Sequence, residues 1–593
     1  MIARRIITIV LFLIFILILE LNSNTVWGFV LLALSTAGFF ALFETRILDG
    51  KPLLKVAAWF GYLAVFVGIL FLTYPPVKRV PAYLSGKTVE TEVVKLRDGD
   101  VTGILDESIG VELYAGIPYA APPVGDLRWK EPQDPEPWEG ILKADTFAPM
   151  AMQPRNVPIY YSLAQIIGYH DYRWFDFSDN YRPEVSEDAL YVNVWKPAGK
   201  TEEPLPVLVY IHGGSLQTGQ PWYEDYSGMN LAREGVIVVN MGYRLGVFGF
   251  LALDELAAES PSGTTGDYGL LDQIKALEWV RDNIEAFSGD PGNVTLAGES
   301  AGSACVSALC TSPLAKGLFR RVVMESSTVA SEEPPHSYRS LEDALNSGLI
   351  VKERAGASTL EELRSIPADK LVDFANTEHH ITVDSHVLLE DPYISYNNGI
   401  FNEEAALHGF NKEESAAFIM FTKTTLKNYE QKVRAFFKEY ADEVLEAYPA
   451  ANDAEASEYW AEIYGAVFFD YPHYVYNRLA VKNGIPSYEY YFTMDNGRLG
   501  CWHSGEEVYL YGNIPAKSKL YDADDRSLMN VFSGYLLNFV KTGDPNGEGL
   551  PAFEPNTNNV TLMELGENVG PVNEKDRKLK LYDILDKMNS QNE

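Results

Sequence analysis

The stretch VTLAGESAGSACVSAL, residues 294–309, decides the fold that this sequence predicts. Its start, Val294–Ala297, is a short apolar run typical of a buried strand, and Ala301–Leu309 has a helical pattern. The pentapeptide GESAG between them matches G-x-S-x-G, which at a strand-to-helix junction forms a strained turn that exposes the serine. The flanking glycines let the helix pack close to the strand. The pattern predicts that Ser300 is a nucleophile at a helix N-terminus, where the dipole favours negative charge.

Short apolar runs of the same kind occur on both sides of this junction. Such runs are typical of strands buried on both faces, and helical patterns such as Leu270–Phe287 separate several of them. The alternation predicts an α/β fold with a mostly parallel sheet covered by helices on both faces. Residues 335–400 and 425–475 have helical patterns that predict a cap over the carboxyl edge of the sheet. The predicted strands of the sheet are Leu190–Trp195, Pro206–Ile211, Val236–Met241, Val294–Ala297, Arg321–Met324, Ala405–His408 and Tyr488–Thr493.

A serine nucleophile needs donors for the oxyanion that forms when it attacks a carbonyl group. The tetrapeptide HGGS, residues 212–215, follows the strand Pro206–Ile211, where such donors are expected. Glycine at these positions lets backbone N–H groups approach an oxygen without obstruction. The N–H group of Ala301, directly after the nucleophile, is a further predicted donor.

The nucleophile also needs a base and an acid, which are expected in the chain order serine, acid, histidine. His503 fits best among the nine histidines, because it follows the strand Tyr488–Thr493 and a loop with Gly497 and Gly500. For the acid, Glu414 follows the strand Ala405–His408. Spacing alone does not distinguish it from the other candidates, which are Glu413, Glu390 and Asp391.

Charge is distributed unevenly along the 593 residues, whose net charge is −34. Residues 1–80 contain seven Lys/Arg and three Asp/Glu, so residues 81–593 carry a net charge of −38. Such an acidic surface excludes nucleic acid as a partner and favours neutral or cationic small molecules. The three cysteines are too few for a disulfide framework and are predicted to be buried thiols. No metal-ligand spacing occurs, and the predicted chemistry needs no cofactor.

Three apolar segments near the N-terminus, at about 6–21, 25–43 and 53–74, predict a membrane anchor over residues 1–80. The second and third are long enough to span a bilayer. The first is short and follows two arginines, so it also resembles the core of a signal peptide, although no small-x-small cleavage site follows it. The anchor therefore has two or three transmembrane helices, and residues 81–593 form one large domain.

Basic residues predict the orientation of this anchor. Arg4 and Arg5 mark one cytoplasmic end, and the loop that contains Arg46, Lys51 and Lys55 marks another. The loop between the first two segments has no basic residue and should lie outside. The large domain is consequently predicted to be extracytoplasmic, whether the first segment spans or is cleaved.

Further motifs accompany the GESAG junction: AGIPYA at 115–120, PPVG at 122–125, SEDALY at 186–191, YRLG at 243–246, GLLDQ at 269–273 and GDP at 289–291. With these motifs the large domain resembles the type B carboxylesterase family, which includes cholinesterases and bacterial esterases, from about Val93 to about Leu565. The resemblance implies an α/β-hydrolase fold and a serine esterase that acts through an acyl-enzyme intermediate.

The resemblance also implies roles for individual residues. It selects Glu414 as the acid, next to Ser415 where the family usually has glycine, and makes His503 the general base. It assigns the oxyanion hole to the N–H groups of Gly214, Ser215 and Ala301.

Three departures from the family pattern are evident. The family usually has glycine or alanine where Ser215 stands, and its hydroxyl is expected to narrow the acyl site or add a hydrogen bond. Many relatives have a disulfide around the region 150–189, which has no cysteine here. The aromatic residues of that region, which include Tyr160, Tyr161 and Trp174, are expected to be held by packing and to form a rim of the substrate gorge.

The expected function is hydrolysis of a small-molecule carboxylic ester. Two alternatives use the same fold: a non-catalytic adhesion or scaffold protein, and an amidase, thioesterase or lipase with the same three residues. Retention of Ser300, Glu414 and His503 argues against the scaffold. The sequence assigns no particular ester and no oligomeric state.

Overall fold

The computed structural model describes residues 2–45, 47–155, 157–167, 172–178, 180–331, 338–374, 380–495 and 501–589. The chain divides into two compact units. The first unit consists of residues 1–79, 155–184 and 518–520, and the second of residues 80–154, 185–517 and 521–593. The main division falls between residues 79 and 80, and residues 155–184 group with the N-terminal part.

A sheet of twelve strands organises the second unit. The strands, in chain order, are β1 (Val89–Glu90), β2 (Ile104–Asp106), β3 (Val111–Pro118), β4 (Tyr191–Pro197), β5 (Leu205–Ile211), β6 (Ile237–Met241), β7 (Gly289–Glu299), β8 (Arg321–Glu325), β9 (Ala406–Asn411), β10 (Ser487–Phe492), β11 (Thr561–Leu565) and β12 (Val569–Asn573). Their spatial order is β1-β2-β3-β4-β6-β5-β7-β8-β9-β10-β11-β12. The strands from β6 to β11 pair in parallel, and the remaining pairs are antiparallel.

The parallel strands form because their sequences are apolar on both faces. Strands β6 (IVVNM) and β8 (RVVME) are buried at every position, and β5 is buried from Val207 to Ile211. The helices α5 (Tyr268–Asn283) and α6 (Ala301–Thr311) pack against this sheet and bury most of their residues. The predicted α/β fold with a mostly parallel sheet is confirmed.

Helices also fill the two regions that predicted a cap. The longer ones extend over Leu341–Arg354, Leu360–Ser365, Ala368–Phe374, Pro392–Asn397, Leu426–Phe437, Ala441–Ala447, Asp453–Gly465 and Tyr471–Asn483, with one π-helical turn at Ala466–Asp470. Two further helices, Ala523–Thr542 and Asp576–Asn589, complete the second unit. Short strand pairs join Val94–Lys95 to Asp100–Thr102, Met150–Ala151 to Val185–Ser186, and Tyr338–Ser340 to Ile381–Val383.

Three long helices form most of the first unit: α1 (Ile2–Leu21), α2 (Val26–Glu44) and α3 (Pro52–Leu72). Each is long and apolar enough to cross a membrane. A shorter helix, α4 (Pro158–Ile167), contacts α1. Residues 182–183 add a parallel strand to residues 77–78, and the N–H group of Arg182 donates to the carbonyl oxygen of Pro76 at 2.8 Å.

Candidate active site

Ser300 lies at the junction of β7 and α6, in the turn that the GESAG pattern predicts. Its backbone has φ = 54° and ψ = −124°, a combination that a residue with a side chain rarely adopts. The Ser300 N–H group donates to the carbonyl oxygen of Glu325 on β8 at 2.8 Å, which holds the turn in this conformation. The side chain is half-buried, so its hydroxyl is accessible from one side.

The two glycines of the motif are required by close backbone contacts. A Cβ atom on Gly302 would lie 2.1 Å from the carbonyl oxygen of Ile211 on β5, and one on Gly298 would lie 2.6 Å from the carbonyl carbon of Gly302. Both contacts are with backbone, which cannot rotate out of the way. Glycine at these positions is therefore what allows α6 to start directly against the sheet.

Three side chains from distant parts of the sequence meet at this turn. His503 Nε2 lies 2.8 Å from Ser300 Oγ, and His503 Nδ1 lies 2.6 Å from Glu414 Oε2. Ser300 follows β7, Glu414 follows β9, and His503 follows β10, so all three stand beyond the carboxyl ends of parallel strands. Gly497 and Gly500, which the sequence places in the loop before the histidine, lie outside the described residues.

Glu414 is almost completely buried, at 1% exposure. Burial raises the pKa of its carboxyl group to about 8, although Ser326 and the N–H group of Asn411, 2.7 Å from Oε1, lower it again by hydrogen bonding. Ionising this carboxyl alone is costly in such a site. His503 Nδ1, 2.6 Å from Oε2, is the polar partner on the open side of this carboxyl group.

The other candidate acids make different contacts. Asp391 caps the helix Pro392–Asn397 and accepts a hydrogen bond from the hydroxyl group of Tyr338. Glu390 accepts a hydrogen bond from Ser395. Glu413 is adjacent to Glu414 but only half-buried, and its N–H group donates to the carbonyl oxygen of Cys501.

Three other histidines make contacts that do not involve Ser300. His212 stacks on Tyr243 with ring centroids 4.6 Å apart, and burial lowers its pKa to about 4. His408 packs against His473, with their Nδ1 atoms 3.0 Å apart, in a fully buried pair.

The loop after β5 brings the predicted oxyanion donors to the same turn. A Cβ atom on Gly213 would lie 3.1 Å from Ser300 Cβ, so this backbone passes directly beside Ser300. Gly214 and Ser215 have φ values of 106° and 56°, and the carbonyl oxygen of Gly214 accepts from the N–H groups of residues 217 and 218. Within the described residues, the N–H groups of Gly214, Ser215 and Ala301 have no hydrogen-bond acceptor. The Ser215 side chain is exposed.

A second group of carboxyl side chains, which sequence reasoning missed, begins next to His503. Glu299 Oε1 is 3.3 Å from His503 Nε2 and accepts a hydrogen bond from Ser504 Oγ at 2.5 Å. Burial raises the pKa of Glu299 to about 7, and the imidazole of His503 opposes this shift. Glu506 accepts from Ser326 Oγ at 3.0 Å, and burial raises its pKa to about 7 as well.

Two further acids, Glu325 and Glu507, belong to this group. Glu325 accepts a hydrogen bond from the Tyr511 hydroxyl at 2.6 Å, and Glu507 accepts one from the Tyr210 hydroxyl. Burial and the neighbouring carboxyl groups raise the pKa of both well above the ordinary value. Glu299 lies inside the GESAG motif itself, but nothing in the sequence indicates that these acids assemble.

Two aromatic rings border His503. The Phe418 ring centroid is 5.2 Å from that of His503, and the Phe469 centroid is 4.8 Å from it. Phe418 belongs to a short helix directly after Glu414, and 45% of its surface is exposed. Phe469 belongs to the π-helical turn Ala466–Asp470, a feature frequent at functional sites.

The three cysteines are buried free thiols, as the sequence predicts. Cys501, two residues before His503, has its pKa raised to about 12 by burial, so it stays protonated and is a poor nucleophile. Across the ranges that the structure covers, no group of three or more His, Cys, Asp or Glu side chains has the geometry of a metal site.

A mostly parallel sheet with a serine at a strand-to-helix turn and its partners after later strands defines an α/β-hydrolase. A sequence profile of the Carboxylesterase family matches residues 90–582, so the chain belongs to that family. The protein is accordingly an ester hydrolase, and both the fold and the family that the sequence indicated are confirmed.

Individual relatives agree with this assignment. Fumonisin B1 esterase of Sphingopyxis macrogoltabida is 30% identical over 535 residues, which cover 87% of this chain and 94% of that protein. Para-nitrobenzyl esterase of Bacillus subtilis (strain 168) is 29% identical, with 83% of this chain and 98% of that protein covered. The crystal structure of a Geobacillus stearothermophilus carboxylesterase has a TM-score of 0.71 at 30% identity and covers 83% of this chain and 99% of its own.

Proposed function

We propose that the protein hydrolyses carboxylic esters through an acyl-enzyme on Ser300, with His503 as general base and Glu414 as the acid that orients it. The observation that carries the proposal is the continuous chain of contacts from Ser300 Oγ to His503 Nε2, at 2.8 Å, and from His503 Nδ1 to Glu414 Oε2, at 2.6 Å. A hydroxyl group, an imidazole and a carboxyl group in this sequence can move one proton between the nucleophile and the leaving group.

In the first half of the reaction, Ser300 Oγ attacks the ester carbonyl carbon and His503 Nε2 takes its proton. Glu414 stabilises the imidazolium through the contact at Nδ1. The imidazolium then protonates the alcohol oxygen as the carbon–oxygen bond breaks. In the second half, His503 takes a proton from the water that attacks the acyl carbon, and it returns this proton to Ser300 Oγ as the acyl carbon–oxygen bond breaks and the acid leaves.

The negative oxygen of each tetrahedral intermediate is assigned to the N–H groups of Gly214, Ser215 and Ala301. The support is that all three lack an acceptor within the described chain and that this loop passes beside Ser300. N–H groups held in advance need no reorganisation when charge develops, and each contributes about 3 kcal/mol to lowering the barrier.

Labelling with a fluorophosphonate tests the nucleophile. The wild-type protein should become covalently labelled and lose activity, while Ser300→Ala should remain unlabelled and lose about 10⁶-fold in kcat. Ser365→Ala, which changes an exposed serine on another helix, is the control and should behave as wild type. A folded wild-type protein that takes no label would favour the non-catalytic scaffold instead.

The acid can be tested with two adjacent glutamates. Glu414→Gln should lower kcat about 10⁴-fold, because the amide cannot stabilise the imidazolium or fix its tautomer. Glu413→Gln changes the neighbouring side chain, which does not contact His503, and should retain kcat within a few-fold. Equal activity of the two variants would show that the assignment of Glu414 is wrong.

The substrate is proposed to be a neutral or cationic ester with an apolar group beside the scissile bond. The rings of Phe418 and Phe469, which border His503, supply an apolar surface, and the buried carboxyl groups disfavour an anion. A series of p-nitrophenyl esters from acetate to palmitate would define the acyl group. Comparing an ester with its matched anilide separates an esterase from an amidase, and a strong preference for palmitate would favour a lipase.

We further propose that residues 1–80 anchor the protein in a membrane, with the hydrolase unit outside the cytoplasm. The support is the length and apolar character of α1, α2 and α3, and the basic residues near the end where α1 begins and α2 ends. Protease added to intact cells should release the hydrolase unit. Complete protection until the cells are lysed would contradict the orientation.

A further inference from the structure

The first unit exposes large apolar side chains that lie outside the three long helices and take no part in the proposed reaction. They lie in two stretches, residues 157–167 and 172–178, which together are called the aromatic segment. We propose that the aromatic segment lies in the headgroup region of the bilayer that α1, α2 and α3 enter, and binds phospholipid through these side chains. The proposal rests on the membrane anchoring proposed above.

The sequence of α4, PIYYSLAQII, has no charged residue. Pro158 and Ser162, one helical turn apart, are buried on one face. Away from that face, Tyr160, Tyr161 and Leu163 are exposed over 57%, 44% and 42% of their surfaces. A helix that faces water normally carries charged residues on its outer side, so this pattern indicates a less polar environment.

The second stretch of the aromatic segment contacts the end of α1 and the start of α2. The N–H group of Phe175 donates to Glu20 Oε1 at 2.6 Å, and the Tyr172 hydroxyl donates to the carbonyl oxygen of Glu20 at 3.3 Å. The rings of Phe175 and Phe177 lie 6.0 Å and 5.2 Å from the ring of Phe29. The segment therefore lies at the level where the apolar helices end.

The end of α3 near the aromatic segment also exposes apolar side chains. At the C-terminal end of α3, Phe71 and Leu72 are 72% and 83% exposed. The N–H group of Thr25 donates to the carbonyl oxygen of Thr73, which brings this end of α3 next to the start of α2. A bilayer that covers Phe71 and Leu72 has its interface beside the aromatic segment.

The residue types of the aromatic segment also favour the headgroup region over the hydrocarbon core or water. Tyrosine and tryptophan are enriched where a membrane meets water, because their rings are apolar and their polar atoms can still reach water. Tyr160, Tyr161 and Trp174, the last 52% exposed, have this character. An interfacial helix buries its apolar face about 5–10 Å into the headgroup boundary.

Single reactive cysteines allow a direct test in the full chain. The three native thiols are buried, so wild-type protein serves as the labelling blank. An environment-sensitive nitrobenzoxadiazole dye is attached at Tyr160→Cys, at Leu34→Cys in the middle of α2, and at the exposed Ser365→Cys of the hydrolase unit. Each protein is reconstituted in phosphatidylcholine vesicles that carry a nitroxide either near the headgroup or near the end of the acyl chain.

The dye at residue 160 should emit at shorter wavelength than the dye at residue 365 and be quenched most by the nitroxide near the headgroup. The dye at residue 34, at a position 65% exposed in the protein, should be quenched most by the deep nitroxide. A quenched dye at 34 with an unquenched dye at 160 would overturn the interfacial assignment and leave the anchor intact. An unquenched dye at 34 would overturn both.

Discussion

Strands β6 and β8 of the hydrolase unit are buried at every position. In α1, α2 and α3, by contrast, only 17–22% of the residues in the most apolar stretch of each helix are buried. Both units also bury polar side chains. In the helical unit the hydroxyl groups of Thr36 and Tyr62 are buried in contact with each other at 2.8 Å, while Leu34 and Phe60 point outward. In the hydrolase unit, the buried positions of the parallel strands include the polar side chains of Asn240, Glu325 and His408 among many apolar ones.

The difference in burial is expected if water surrounds the hydrolase unit and lipid surrounds the helical unit. Burial of apolar side chains stabilises the hydrolase unit because it removes them from water. Hydrocarbon chains are as apolar as leucine, so the helical unit gains little from burying leucine and depends on close packing and on hydrogen bonds between helices. The same substitution is therefore expected to have different effects in the two units.

The largest difference is expected for glycine. In Gly302→Ala the added methyl group would lie 2.1 Å from a backbone oxygen of β5, which forces α6 away from the sheet. Overpacking of this kind costs about 3 kcal/mol, and the shift of Ser300 should lower esterase activity as well. The midpoint of thermal inactivation and kcat/KM measure the two effects.

Gly61→Ala is the matched substitution in the helical unit. Gly61 lies on α3, where an added Cβ would meet no atom within 4 Å beyond its chain neighbours and its own helix backbone, and alanine favours helix over glycine by about 1 kcal/mol. Its inactivation midpoint should be equal to or slightly above that of the wild type, and its activity should be unchanged. A Gly302→Ala protein with wild-type stability would contradict the prediction that α6 lies too close to β5 to accept a methyl group at residue 302.

The parts of this structure that follow from local sequence were predictable. The GESAG junction and the apolar strands predict the sheet and Ser300, because each depends on neighbours within a few residues. The choice between Glu413 and Glu414 was not predictable from spacing, since it depends on which side chain of a loop faces a histidine about 90 residues later. The resemblance to a known family selects Glu414, and the proposed role of Glu414 is supported by its 2.6 Å contact with His503.

Contacts between remote segments were the least predictable. The aromatic residues of 155–184 indicated a rim of the substrate gorge, whereas Phe175 and Phe177 pack against Phe29 of the helical unit. Aromatic composition predicts burial but not the partner. The buried acids were unpredictable for the same reason. In the sequence, Glu325 and Glu507 resemble ordinary surface residues, and only the assembled fold buries them.

An intermediate effect is expected from these acids, and it depends on pH. Burial raises the pKa of Glu325 well above its ordinary value of 4.5, so the folded chain keeps a proton that the unfolded chain releases. Rising pH above about 4.5 therefore favours unfolding, by about 1.4 kcal/mol for each pH unit over which the two states differ. Glu325→Gln removes this proton release and can still accept from Tyr511.

The free energy of unfolding of Glu325→Gln, measured against wild type from pH 5 to 8, should therefore improve steadily as the pH rises. The exposed Glu107→Gln provides the control, and its curve should remain parallel to that of the wild type. Parallel curves for Glu325→Gln as well would mean that Glu325 is ionised in the folded protein.

The smallest effect is expected in the helical unit, from the hydrogen bond between Thr36 and Tyr62. Bonds of this kind between membrane helices contribute about 0.6 kcal/mol, because the separated helices find other partners. Thr36→Val and Tyr62→Phe each remove one hydroxyl group while keeping the shape of the side chain. The two variants and their combination, unfolded from bilayer-like micelles, form a double-mutant cycle whose coupling energy should be about this size.

Ser35→Ala, whose hydroxyl bonds only to Leu32 within its own helix, should show no coupling to Tyr62→Phe. A coupling of several kcal/mol would mean that the pair holds α2 against α3 much as a buried polar pair does in a water-soluble core, and the contrast between the two units would then not extend to their polar contacts.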